Sequence, residues 1–182
     1  MSIGKFYLIT TFLFATITNN LFAQVNTSKV DISEVEVFAR DKMIEHLFSI
    51  TDIMVTDVTS PPGAARFYAY SLLGAYLVYG VNESPLLQQL QHPIPKPDPT
   101  LLPDRKGINL AFTSTYAMLE VGKNIMPSGK KLTTAQETLV REYSKKKLIK
   151  KKALKQSIDY AKKVAAVVLN YAKEDGYSRL ST

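Results

Sequence analysis

The chain has 182 residues, of which 46% are apolar and 21% charged, and its formal net charge is +7. This composition is typical of a globular protein and the length suits one domain, so we expect neither a disordered chain nor a two-domain architecture. The sequence has no cysteine, which excludes disulfide bonds, thiolate metal sites and cysteine nucleophiles.

The first 23 residues are predicted to be a secretory signal peptide. Lys5 is followed by an uncharged apolar run over residues 6–17 and then by a short polar stretch that ends at Ala23. This is the order of regions in a signal peptide, and the apolar run is short for a membrane span. We therefore expect cleavage after Ala23, export to the periplasm or the extracellular space, and one helical domain over residues 24–182. The alternative is a buried N-terminal helix.

The next segment, residues 41–58, has helical periodicity. Its apolar stripe predicts the buried face, and the opposite stripe, which contains His46, predicts the solvated face. The expected core residues are Ile44, Leu47, Phe48, Met54, Val55 and Val58.

A second helix is predicted from about residue 61 to 81, because Ser60 suits a helix N-cap and Pro61 the first helical position. Arg66 is its one charged residue, and apolar residues occupy every face. Tyrosines lie along its whole length, whereas a membrane span collects them at its ends. We therefore predict a buried central helix, with Arg66 in a structural role near its start.

Three more helices complete an all-α bundle of about five helices. Five prolines over residues 92–103 predict an extended surface connection. The further helices are expected over 109–125, from a capping box at Thr133/Gln136 or Thr134/Glu137 to about Lys147, and from about Lys150 to Glu174 with Gly176 as the stop.

Two histidines are the candidates for a reactive or metal-binding centre. A hydrolytic centre built on His46 or His92 stays open, although nothing in the sequence locates one. Glu45, His46 and Asp52 offer metal-ligand chemistry, but adjacent residues of a helix point about 100° apart. We therefore expect Glu45 and His46 to lie on a solvated face without a metal.

The positive charge is concentrated near the C-terminus, where nine lysines between residues 145 and 163 face a single acid, Asp159. A solvated helix face is the simplest interpretation, and contact with an anionic membrane surface or partner is the alternative. We do not expect a nucleic-acid partner for an exported chain. The residues expected to make the anionic contact are Lys145, Lys146, Lys147, Lys150, Lys151 and Lys152.

The stretch "SPPGAARFYAYSLLGAY", residues 60–76, resembles the N-terminal helical part of secreted bacterial proteins in the vanadium-dependent haloperoxidase and type 2 phosphatidic acid phosphatase superfamily. Residues 157–179 resemble the helix that leads into the catalytic half of these proteins. The matching positions in the first stretch are Ser60, Pro61, Pro62, Ala64, Arg66, Tyr68, Ala69, Tyr70, Ser71 and Tyr76.

In that superfamily, cationic side chains and a glycine amide hold phosphate or vanadate, and a histidine attacks phosphorus or binds vanadium. The motifs that supply these groups are Lys-x6-Arg-Pro, Pro-Ser-Gly-His and Ser-Arg-x5-His, and the sequence contains none of them. "PSGK" at residues 127–130 has Lys130 where the second motif has histidine. We therefore assign no catalytic, cofactor-binding or metal-binding residue to this chain.

The resemblance implies a truncated or split member of the superfamily that supplies the helical scaffold half. Phosphate or vanadate would then be bound by the missing half. The expected partner is a separately encoded catalytic half or a second copy of the chain. The alternative function is a stand-alone exported binding module that uses the lysine-rich face.

Overall fold

The computed structural model describes residues 33–79, 102, 104–173 and 176. Within these residues the chain forms five α-helices and one short 3-10 helix, Gly129–Lys131, and no strand. The prediction of an all-α bundle of about five helices is confirmed. The predicted signal peptide, His92 and, apart from Leu102, the proline-rich segment lie outside the described residues. The helices are α1 (Glu34–Thr56), α2 (Pro61–Tyr79), α3 (Leu110–Ile125), α4 (Leu132–Lys145) and α5 (Lys151–Lys173).

The central helix is α3, which packs against each of the other four helices and is buried continuously from Phe112 to Leu119. Its hydroxyl groups donate to carbonyl oxygens of the preceding turn: Thr113 to Asn109 at 2.6 Å and Ser114 to Ala111 at 3.0 Å. Because these groups satisfy themselves within the helix, α3 can be buried although its sequence contains polar residues.

The prediction that α2 is the buried central helix is wrong, because α3 occupies that position. One side of α2 packs on α3 through small buried residues that include Ser71 and Gly74. The other side is open, and Leu72 and Tyr79 are 41% and 46% exposed. None of the described helices is long and apolar enough to cross a bilayer.

Arg66 has the structural role expected from the sequence. Its Nη2 donates to the carbonyl oxygen of Ala172 near the end of α5 at 3.0 Å. Its guanidinium also lies 5.1 Å from the ring centroid of Tyr70. Arg66 therefore connects the first turns of α2 to the last turn of α5.

The first helix begins before its predicted start at Asp41. Ser33 and Glu36 form a capping box, in which the Glu36 amide donates to Ser33 Oγ at 3.3 Å and the Ser33 amide donates to Glu36 Oε2 at 2.9 Å. This pair of residues is the sequence signal for the start of α1.

The prediction of which side of α1 is buried is also wrong. The side that packs on α3 and α4 carries His46, Ile50, Ile53 and Met54. Of the predicted core residues, Met54 is buried and Leu47 is half-buried. The other four are exposed: Ile44, Phe48, Val55 and Val58.

The start of α4 differs from the prediction as well. The 3-10 helix runs directly into Leu132, and no side chain caps α4, so neither predicted capping box forms. Gln136 is instead buried, and its amide donates to Glu120 Oε2 of α3 at 2.6 Å. The turn before α4 is held by Asp57, whose Oδ2 accepts from the Ser128 amide at 3.0 Å.

Candidate functional site

A cluster of ionisable side chains connects α1 to α4. Glu45 and His46 follow Lys42 by three and four residues, so all three side chains lie on the same side of α1. Glu142 of α4 faces them. The Lys42 ammonium lies 2.6 Å from Glu45 Oε2 and 2.9 Å from Glu142 Oε2. Burial would lower the pKa of Lys42, but the hydrogen bonds to both carboxylates outweigh it and hold the pKa above its ordinary value. Lys42 is therefore charged and bridges the two acids.

His46 lies beside this bridge and is only 1% exposed. Neither ring nitrogen has a hydrogen-bond partner among the described residues. A buried polar group without a partner costs about 1–3 kcal/mol. Burial lowers the pKa of His46 in spite of the nearby carboxylates, so the imidazole is neutral and one ring nitrogen carries a free lone pair.

The three acceptor groups of this cluster converge. One ring nitrogen of His46 and one carboxylate oxygen each of Glu45 and Glu142 lie within 4.8 Å of one another. The expectation that His46 lies on a solvated face is therefore wrong. The sequence did place Glu45 next to His46, but it gave no signal for Glu142, because that residue approaches from another helix. Asp52 does not belong to this group of three.

The cluster opens on a groove of about 290 Å³ between α1 and α4. Glu45, His46 and Asp52 line it from α1, and Thr134 and Thr138 line it from α4. The side chain of Glu45 is half exposed (51%), whereas that of Glu142 is 30% exposed. The groove therefore gives water and small ions a path to the carboxylate of Glu45, whose exposed side chain can change its rotamer.

A second polar cluster is centred on Glu120 of α3. Its Oε2 accepts from Lys123 Nζ and from Gln136 Nε2, both at 2.6 Å. Burial would raise the pKa of Glu120, but the bonds from Lys123 and Gln136 outweigh it and hold the pKa below its ordinary value. Because the polar atoms of these side chains hydrogen-bond to one another, we interpret this cluster as structural.

The six lysines predicted to contact an anionic surface all lie exposed around the junction of α4 and α5. We call this set the lysine surface: Lys145, Lys146, Lys147, Lys150, Lys151 and Lys152. In the described part of the chain none of them forms an ion pair, although the Lys146 ammonium lies 5.1 Å from the ring centroid of Phe38. The anionic contact itself stays a prediction.

The "PSGK" stretch is used for backbone packing. Gly129 is buried, and a Cβ atom there would lie 2.6 Å from the carbonyl oxygen of Gly122. Only glycine fits so close to another backbone segment. The partial match to a superfamily motif at residues 127–130 therefore has a structural explanation.

This arrangement of helices is a haloperoxidase-like helical fold. A similar solved structure is that of a bacterial vanadium-dependent iodoperoxidase, with a TM-score of 0.63 and 23% sequence identity. The similarity covers 78% of this chain and 34% of that one, so the chain spans about a third of its length. No family model and no curated protein matches the sequence. The resemblance inferred from residues 60–76 is thus confirmed at the level of the fold.

Proposed function

We propose that this chain supplies the helical, non-catalytic half of a haloperoxidase-like protein. The observation that supports the proposal is the difference in coverage between the two chains. The similarity covers 78% of this chain but only 34% of the longer iodoperoxidase chain. The absence of the three superfamily motifs from the sequence supports the same conclusion. In this proposal the chain is a scaffold, and no residue of it is catalytic.

An exposed apolar surface gives the proposal a structural basis. Ile44, Phe48 and Val55 lie within about 40° of one another around α1, and Phe48 and Val55 are 63% and 72% exposed. On α2, Leu72 and Tyr79 are exposed, and a 2.7 Å hydrogen bond between Thr51 and Tyr68 joins the two helices. We call these five residues the α1–α2 apolar surface: Ile44, Phe48, Val55, Leu72 and Tyr79.

The proposed occupant of this surface is the other half of the protein. Several exposed apolar residues on one side of a helix typically mark an interaction site. Charge stabilisation of a phosphoryl group needs converging cationic donors and a positioned nucleophile. The other half would supply these groups, and would therefore bind the phosphate or vanadate.

The test is an activity assay of the purified chain, alone and together with its proposed other half. The chain alone should neither hydrolyse a phosphomonoester nor oxidise halide when vanadate and peroxide are added. The DNA beyond codon 182, or an adjacent gene, should encode the three motifs in the order given above. Co-expression of that product should produce a complex with activity. Turnover by the chain alone, inhibited by competing phosphate, would contradict the proposal.

A second candidate function is favoured by the lysine surface. Six exposed ammonium groups without an acidic partner in the described residues would bind an anionic membrane or polymer. Binding to vesicles that contain anionic phospholipid should then weaken as salt rises, and replacement of the six lysines by glutamine should abolish it. Equal binding to neutral vesicles would argue against this function.

A further inference from the structure

We propose that His46, Glu45 and Glu142 form a Zn²⁺ site that joins α1 to α4. The site is independent of the proposed scaffold function, because it shares no residue with the α1–α2 apolar surface. It rests on two observations that do not depend on each other. The three donor atoms converge within 4.8 Å, and the buried imidazole of His46 has no hydrogen-bond partner among the described residues.

The donor chemistry selects the ion. Imidazole nitrogen together with carboxylate oxygen suits Zn²⁺, whereas Mg²⁺ and Ca²⁺ prefer oxygen ligands alone. Three protein ligands leave one position of a tetrahedral Zn²⁺ ion for water. The adjacent groove, which Glu45 and His46 line, gives the ion and that water a path from solvent.

The geometry requires a small closure of the carboxylates around the imidazole. With Zn–N and Zn–O distances of about 2.1 Å, two ligands of a tetrahedral ion lie about 3.4 Å apart. The donor atoms must therefore approach by about 1 Å or slightly more. His46 is fixed by burial, but Glu45 is exposed and Glu142 is half-buried, so both carboxylates can adjust by side-chain rotation.

The Lys42 ammonium competes with Zn²⁺ for the carboxylates of Glu45 and Glu142. Its ammonium now lies between the carboxylates, at 2.6 Å and 2.9 Å from the oxygens of Glu45 and Glu142. Zn²⁺ must displace that ammonium, whose flexible stem can carry it out to solvent. Removal of the lysine charge should therefore strengthen Zn²⁺ binding, whereas removal of a ligand should weaken it.

The experiment is titration of the purified full chain with ZnCl₂ in chelator-free buffer, followed by calorimetry and by the shift in Tm. The wild-type chain should bind one equivalent and melt at a higher temperature. Glu142→Gln should weaken binding at least tenfold, and Lys42→Met should strengthen it at least tenfold. His46→Ala should abolish binding. Because His46 is buried and its replacement can unfold the chain, Glu142→Gln is the decisive variant, with its fold checked by circular dichroism.

His92→Ala is the matched control, because it removes the only other histidine in the sequence. It should leave both affinity and stoichiometry unchanged. Loss of binding in His92→Ala, or unchanged binding in Glu142→Gln, would overturn the proposal. Binding by Lys42→Met but not by the wild-type chain would overturn it too, because Lys42 would then be the permanent cation of the cluster.

Discussion

Gly74 of α2 lies against Val121 of α3 so closely that a Cβ atom at Gly74 would be 2.8 Å from Val121 Cγ2 and 3.2 Å from the carbonyl oxygen of Ala117. The absence of a side chain at Gly74 allows the two helices to pack at this distance. The contact between α2 and the central helix therefore depends on glycine at one position.

Gly74→Ala should destabilise the fold by about 1–3 kcal/mol, because the added methyl group forces the two helices apart. This outcome would be opposite in sign to the usual effect of replacing glycine by alanine within a helix. Urea denaturation measures the change. Val121→Ala in the same chain should reduce the loss of stability caused by Gly74→Ala, because it removes the methyl group nearest to the added Cβ atom. The control is Ala69→Gln on the exposed side of α2, which should change stability by less than about 0.5 kcal/mol.

The end of α1 holds a valine in a backbone conformation that favours glycine. Val58 has a φ of +50°, and the following amide, that of Thr59, donates to the carbonyl oxygen of Met54 at 2.9 Å. This is the hydrogen bond of a Schellman motif, in which the left-handed position is usually glycine. A β-branched residue there is strained.

Val58→Gly should therefore stabilise the fold by about 0.5–1 kcal/mol, since relief of the strain exceeds the entropy that glycine loses on folding. Val58 is 88% exposed, so little packing is lost. Thermal and urea denaturation measure the effect. Thr59→Gly is the control, because Thr59 has no positive φ, and it should destabilise the fold. A stability loss in both variants would argue against the left-handed cap.

The sequence predicted the helices better than their packing. Local signals, such as Pro61 at the start of α2, act within one turn, and the structure bears this one out. The choice of the central helix depends on contacts between distant segments. Both α2 and α3 are nearly uncharged, so their sequences do not show which of them is central. The hydroxyl groups of α3 argue against burial in the sequence, and only the structure shows that they are hydrogen-bonded within the helix.

The same reason explains the errors on α1. Apolar residues occur on two sides of this helix, and periodicity alone favoured the side with Ile44 and Phe48. The structure buries the side with Ile50 and Ile53, because that side faces α3 and α4. His46 is buried with them, and Glu142 joins it from α4, so the candidate metal site was not predictable from the local sequence.

Glu120 makes the stability of the fold dependent on pH. The bonds from Lys123 and Gln136 hold its folded pKa below the ordinary value of 4.5. A carboxylate of this kind contributes stability that is fully present above pH 4.5 and is lost as pH falls through the folded pKa. Glu120→Gln should therefore destabilise the fold by about 1–2 kcal/mol at pH 7.

The difference between wild type and Glu120→Gln should become smaller as pH falls below 4.5, because Glu120 is protonated first in the unfolded chain and, below its folded pKa, in the folded chain as well. Urea denaturation at pH 7, 5 and 3 measures it. Glu137→Gln, at an exposed position of α4, should leave the wild-type pH dependence unchanged. A Glu120→Gln effect that stays constant across this range would mean that packing, and not the charge, stabilises the cluster.

The α1–α2 apolar surface leads to the last prediction, which concerns association. When no partner covers the exposed side chains of Phe48 and Val55, the purified chain should self-associate, because the contact removes apolar area from water. Phe48→Ser combined with Val55→Thr should shift the chain to monomer without a loss of stability above about 0.5 kcal/mol, since both residues are exposed. Sedimentation velocity over a range of concentrations measures the change. Val35→Thr is the control, because Val35 is 49% exposed but lies about 180° around α1 from Ile44. It should leave association unchanged. A wild-type chain that is monomeric and melts cooperatively would contradict the prediction and would favour the stand-alone binding module that uses the lysine surface.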